Sequence, residues 1–428
     1  MIQTIKNFII AWGSIFKGSA KYYLWLAFLA FLMAIGVHAY IGQAEHGLIM
    51  TAMRDQVSWG FYISNFTFLV GVAAAAVLLV IPAYVHHDKS IKEIVLFGEL
   101  MAITAIVMCI MFIMTDLGQP LRVWHILPPP IGLMHWPSSL LAWDVLVLNG
   151  YLFLNIIIAF YILYKLSRGE HYNMKSFVGF LIYLSIPAAI SIHTVTAFLY
   201  NAAFSRPFWS ASILAPRFIA SALCSGPALM LLVFQVVRKV TDVKIEDKAI
   251  FKVATLITYA MAVNLFFLGA EVFQSFYSGT AETASIHYLF FGYNGQTNLV
   301  PYIWTAVISN ITAFLLILNP KTRENFVTLN VACVLMIVGI YLEKGMGLVI
   351  PGFTPDALGE IYQYTPTATE LLVSLGVWAM GAMIYTFLLK FAIPVYTGKL
   401  RFASSGKEAI HEVKAVRPHV EEVPEEQL

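Results

Sequence analysis

IMTDLGQPLRVWHILPPPIGLMHWPSSLLAWDVLVL, residues 113–148, joins two long apolar segments through a link rich in proline and tryptophan. The stretch carries two carboxylates, Asp116 and Asp144, with Arg122, His125 and His135 between them. Asp116 closes the first apolar run and Asp144 sits just inside the second. A carboxylate beside or inside hydrocarbon is costly enough to mark a functional position by default. The flanking runs are long enough to cross a bilayer, roughly 20 residues each. That length sets the fold class: an all-α integral membrane protein.

Composition agrees. Of 428 residues, 59% are hydrophobic and 12% charged, against roughly 25% charged in a soluble protein, and the mean hydropathy is +0.77. A net charge of +2 gives no basis for a nucleic-acid partner. Cys109, Cys224 and Cys333 stand alone in apolar runs, with no CxxC, CxxCH or His/Cys cluster. No haem, iron-sulfur cluster or metal is therefore expected in this chain. Lys6, Lys17 and Lys21 precede an apolar run from Tyr22 without a convincing Ala-x-Ala-like cleavage site, so that run is read as a retained helix.

Outward from 113–148, apolar runs fall near 22–41, 60–82, 94–115, 139–164, 176–200, 213–237, 251–272, 299–318, 327–345 and 371–396. This predicts ten transmembrane helices within a membrane domain at 22–400, after a segment at 1–21 and before a charged tail at 401–428. All Lys and Arg except Arg54, Arg122, Arg206, Arg217 and Lys344 fall on the side that holds both ends. By the positive-inside rule both termini are cytoplasmic, in a multi-pass protein of the cell's inner membrane.

In this orientation His38, Asp116, Asp144, His193, Arg217, Glu271, Glu343 and Lys344 all lie in the outer parts of their helices. At about 1.5 Å per residue, Asp144 and His193 would sit ~10 Å below the outer boundary. Glu99 lies near the inner end of the third helix, as a proton contact towards the cytoplasm. An offset of 155 aligns Gly71 with Gly226, Asp116 with Glu271, Gln119 with Gln274 and Asn155 with Asn310, which suggests parallel repeats. The same offset pairs His38 with His193, so the spacing leaves the repeat frame open.

Quinol oxidation releases two electrons and two protons. It needs an apolar slot, hydrogen-bond partners for two oxygens, and bases. Buried carboxylates and imidazoles suit it, since removal from water favours a protonated carboxyl and an imidazole titrates near neutrality. Asp144 and His193 are the first choice for the proton-accepting pair, with Asp116 and Arg122 setting the local field or a proton exit. Trp124, Trp136 and Trp143 would stack on the ring or wall the slot, and His193, Arg217 and Glu271 would form the opposite walls. Blander uses compete: Asp116 as a turn cap beside Gly118 and Pro120, Asp144 in an ion pair with Arg122 or Arg217, and the tryptophans in an interfacial belt. His38 would be a packing histidine. Two other functional classes also fit: a secondary transporter, with helices broken at Pro187, Gly226 and Pro227, and a b-type cytochrome with His38 and His193 as haem ligands.

The order and spacing of seven segments resemble one family. They are WGFYISNFTFLVG at 59–71, DLGQP at 116–120, HWPSSLLAWDVLVLNGY at 135–151 and HTVTAFLYNAAFSRPFWSASILAPRFIASALCSGPALM at 193–230. GAEVFQSFY at 269–277, YLEKGMGLVIPGFTP at 341–355 and YTPTATELLVSLG at 364–376 follow. The chain resembles the NrfD/polysulfide-reductase membrane subunits, in particular the long ten-helix members found in DsrMKJOP, Qrc and alternative complex III. The resemblance implies two parallel-related four-helix bundles, about 60–200 and 213–345, with flanking helices at 22–41 and 371–396. It also implies a cofactor-free subunit that binds menaquinone or another quinone near the outer face. An extracytoplasmic, ferredoxin-like iron-sulfur subunit would be its partner, with a multihaem cytochrome c or other redox subunits beyond it and proton translocation as a possible coupling. The family's acidic and histidine positions carry over to Asp116, Asp144 and His193. The family often has Arg where this chain has Gln119, and Glu-Arg where it has Glu343-Lys344, so no role carries over to those positions.

Overall fold

The computed structural model describes residues 13–170, 177–356 and 358–400. The first part of the N-terminal segment and the charged tail at 401–428 lie outside the described residues. Ten helices are long and apolar enough to span a membrane: α1 Ala20–His46, α2 Phe61–Val85, α3 Lys89–Asp116, α4 Leu140–Ser167 and α5 Phe177–Asn201, then α6 Leu214–Val240, α7 Asp247–Ser278, α8 Val300–Leu318, α9 Phe326–Gly352 and α10 Ala368–Tyr396. Each overlaps one predicted run, and there is no strand among the described residues. The chain is a multi-pass integral membrane protein.

The helices outrun the apolar runs where polar residues cap them. Asp88 caps α3 through the Ser90 N–H at 3.0 Å, and Thr367 with Glu370 forms a capping box at the start of α10. Pro187 and Pro227 lie inside α5 and α6, yet both helices run on through them, so neither is a broken transporter-type helix. Pro82 falls in the last turn of α2, where Ile81–Val85 widens to π geometry.

Neighbour contacts close two rings of four. In the first, α2 packs on α3, α3 on α4, α4 on α5 and α5 back on α2; in the second, α6, α7, α8 and α9 close in the same order. The rings meet chiefly where α6 lies against α2 and α5. Gly71 and Gly226 face each other across the α2–α6 crossing, where a larger residue at Gly226 would run into Ala75 and the Gly71 carbonyl. Helices α1 and α10 pair outside the rings, with backbones in close approach at Gly36 and Gly376, and α10 rests on α3. Asn65 of α2 joins the three units. Its Oδ1 accepts hydrogen bonds from the Tyr341 hydroxyl of α9 and the Trp378 indole N–H of α10, each at 2.9 Å.

Candidate functional site

The half of ring one at the C-terminal end of α5 holds a polar stripe. His193, Thr196 and Tyr200 recur at i, i+3 and i+7 on α5, which puts them on one helix face, and all three are buried. Asp144 of α4 is buried too, at 1% exposure. The Thr196 hydroxyl lies 2.7 Å from Asp144 Oδ1 and 2.8 Å from the Ile192 carbonyl. The Tyr200 hydroxyl meets Thr67 Oγ1 of α2 at 2.6 Å. Neither ring nitrogen of His193 has a hydrogen-bond partner among the described residues. A buried imidazole with both nitrogens unpaired is rare in a finished core, because unpaired buried polar groups are costly.

A second polar cluster sits around Asp116. The Gln43 amide donates to the Thr115 carbonyl at 2.7 Å, and the Tyr62 hydroxyl donates to Gln43 Oε1 at 2.6 Å. Glu370, fully buried, accepts from the Ala52 and Thr367 N–H groups at 2.9 Å each and from the Tyr364 hydroxyl. Asp116 Oδ1 has no hydrogen-bond partner among the described residues. Close in sequence to Asp116, though not walled by it, an open cleft of about 680 Å³ is lined by Tyr40, Glu45, His46, Met114, Gln119 and Leu121, within the usual size of a small-ligand cleft.

Ring two carries the charges in paired form. Arg217 of α6 bridges Glu271 of α7 and Glu343 of α9, the latter at 2.7 Å, and Glu343 Oε2 accepts from the Asn310 amide at 2.8 Å. Lys344 lies 3.7 Å above the Phe218 ring, a cation–π contact. His193 of α5 and Arg217 of α6 belong to helices in contact, so the two clusters lie on adjoining helices. A cavity of about 10 Å³ walled by Leu268, Phe290 and Ile303 opens onto Arg217, Glu271 and Glu343. That is room for about one water. By the repeat offset, Arg217 and Glu271 stand in ring two where Tyr62 and Asp116 stand in ring one.

The remaining sequence-predicted residues are spread out. Arg122 is exposed on the 3-10 turn Pro120–Ile126. Asp144 forms no ion pair with it or with Arg217 among the described residues. Trp143 is half-buried, its indole N–H donating to the Pro137 carbonyl at 2.9 Å and its ring against Trp136. His38 is exposed on α1. Glu99 is buried in α3, with Oε2 lacking a hydrogen-bond partner among the described residues. No group of three or more metal-ligating side chains occurs among the described residues. Sequence reasoning missed Tyr62, Thr196, Tyr200 and Glu370. The first three are hydroxyls inside apolar runs and carry no signal of their own; the Thr-x-x-Glu pattern at 367–370 is the signal that could have found Glu370.

Ten spans, eight of them in two rings of four, with a buried acid and an imidazole that has no hydrogen-bond partner among the described residues on neighbouring helices, define a polytopic helical membrane protein with a buried polar site in ring one. The chain belongs to the polysulphide reductase NrfD family, whose profile matches residues 49–354. The match takes in both rings and leaves out α1 and α10. Three relatives match over most of their length. A protein of Halobacterium salinarum, provisionally described as a membrane subunit of dimethyl sulfoxide reductase, is 25% identical over 86% of this chain and 90% of its own. The Hdr-like menaquinol oxidoreductase integral membrane subunit of Archaeoglobus fulgidus is 23% identical over 87% and 93%. The menaquinone reductase integral membrane subunit of Nitratidesulfovibrio vulgaris is 22% identical over 88% and 92%.

Proposed function

We propose that this chain is the quinone-reactive subunit of a respiratory oxidoreductase complex in the cell's inner membrane. It exchanges electrons between menaquinone and an extracytoplasmic iron-sulfur partner, with both termini in the cytoplasm. The observation that carries this reading is the partnerless His193 imidazole set one turn from the Thr196–Asp144 contact. Oxidation of menaquinol gives two electrons to the partner and two protons to bases, and Asp144 and His193 are two acceptors on facing helices. The open cleft close in sequence to Asp116 serves as the way in from the membrane, and Asp116 receives the quinone's polar end. The exposed link residues Leu121, Trp124 and Trp136 form the surface that meets the redox partner. Glu99 supplies the cytoplasmic end of a proton route, so that quinone chemistry is coupled to proton translocation. The relatives named for menaquinol and menaquinone support the choice of quinone.

The test uses the intact complex. Asp144→Asn and His193→Ala should abolish quinol-linked electron transfer while the subunits still copurify and quinone is still extracted with them. Wild-type turnover in both variants removes these residues from the mechanism, and purification of the chain alone, without quinone, removes the reading as a whole.

A further inference from the structure

The contact between Thr196 and Asp144 poses a problem of proton count. A threonine hydroxyl has one proton, yet Thr196 Oγ1 stands within hydrogen-bond distance of two oxygens, Asp144 Oδ1 at 2.7 Å and the Ile192 carbonyl at 2.8 Å. When Asp144 is a carboxylate, the hydroxyl donates to one of them in full. When the carboxyl carries a proton on Oδ1, it donates to Thr196 Oγ1, and the Thr196 hydroxyl donates to Ile192, so every group is served. The three residues are buried at or below 2% exposure. The Ile192 carbonyl also takes the helical N–H of Thr196, so the acceptor with most to lose is the Asp144 oxygen, and leaving a buried carboxylate oxygen without a donor is expensive.

We propose that Thr196 is a positioning residue for Asp144: its hydroxyl turns between the carboxylate and the Ile192 carbonyl as Asp144 loses and gains a proton. The inference rests on the quinol reading above and deepens it. A proton leaves the quinol hydroxyl for the Asp144 carboxylate, while the electrons go to the iron-sulfur partner. After at most a half-turn about Cβ–Cγ, the proton lies on Oδ1 and points at Thr196. The Thr196 proton then swings to Ile192, and no proton is created or lost in that swing. When Asp144 passes its proton on, the rotor returns. Both states keep a hydrogen bond on the carboxyl, so neither is trapped. Tyr200 and Thr67 repeat the arrangement one turn outward, with Thr67 Oγ1 at 2.6 Å from the Tyr200 hydroxyl and at 2.8 Å from the Ile63 carbonyl.

The experiment compares Thr196→Val, which keeps the shape and removes the hydroxyl, with Thr196→Ser, which restores it, in the assembled complex with menadiol as donor. Thr196→Val should lower kcat about tenfold with KM little changed, and Thr196→Ser should recover most of the rate. Redox-induced infrared difference spectra provide a readout independent of rate. The carboxyl C=O band that disappears in Asp144→Asn should shift in Thr196→Val and stand near its wild-type position in Thr196→Ser. Wild-type kcat and an unmoved band in Thr196→Val, with turnover lost in Asp144→Asn, overturn the rotor and leave the quinol reading standing. Wild-type turnover in Asp144→Asn overturns both.

Discussion

Gly226 stands so close to Gly71 that a Cβ on Gly226 would lie 3.2 Å from the Gly71 carbonyl oxygen and would overlap the Ala75 methyl. The contact is backbone against backbone at the crossing of α2 and α6, where the two rings meet. Neither side has a flexible tip that can give way.

Gly226→Ala should therefore destabilise the protein by ~1–3 kcal/mol, the usual cost of overpacking a tight core. Gly150 of α4 is the control, because a Cβ there meets nothing within 4 Å. Gly150→Ala should be neutral or stabilising by up to ~1 kcal/mol through helix propensity alone. Thermal unfolding in detergent reads both, and equal effects at the two positions would contradict the packing account.

Arg217 holds two buried glutamates, and removing one partner of such a set strands the others. Arg217→Met should cost ~3–5 kcal/mol. With Arg217 gone, Glu343 keeps the Asn310 amide and its neighbour Lys344, whereas Glu271 has neither. Adding Glu271→Leu to Arg217→Met should recover much of the loss. A double variant less stable than the single one would show that the pair is not the source of the cost.

At the N-terminus of α3, Asp88 caps the helix and pairs with Lys252 of α7, tying ring one to ring two. Burial works to raise its carboxyl from the ordinary 3.8, but the Lys252 ammonium and the Ile91 and Ser90 N–H groups outweigh it and hold the group lower. A carboxyl lowered by folding stabilises the protein above about pH 4, and that contribution is lost as pH falls through its folded value. Asp88→Asn should flatten the acid limb of the stability curve. Asp88→Ala should in addition cost ~1 kcal/mol at neutral pH for the lost cap. An unchanged acid limb in Asp88→Asn would rule out the ion pair as its source.

The ten spans were legible because a helix must satisfy its own backbone in lipid, and a run of about 20 apolar residues has few other uses. Their ends were less so: α3 begins at Lys89 and α7 at Asp247, where charge hides the first turn from a hydropathy reading. Asp144 and His193 stood out as ionisable residues in hydrocarbon. Thr196 did not, since a threonine that bonds its own helix is ordinary until a carboxylate comes within reach across an interface. Arg217 is a candidate partner for Asp144 by sequence, but its ion pairs are to Glu271 and Glu343. Those partners come from α7 and α9, and closure of a ring is a property of the tertiary fold. Glu370 fell one residue outside the apolar run, and only the cap that it completes reveals why a glutamate is buried there.

Asn65 has a further consequence for the time scale of the machine. Both lone pairs of its amide oxygen are occupied, one by α9 and one by α10, so a slide of an ångström between either helix and α2 would break a buried bond. A body pinned in this way has little reason to rock in microseconds to milliseconds, as hinged proteins do. Side-chain rotations, which are orders of magnitude faster, leave both bonds in place. On the quinone chemistry proposed above, turnover would then be set by how quickly a lipid-soluble molecule can arrive and leave.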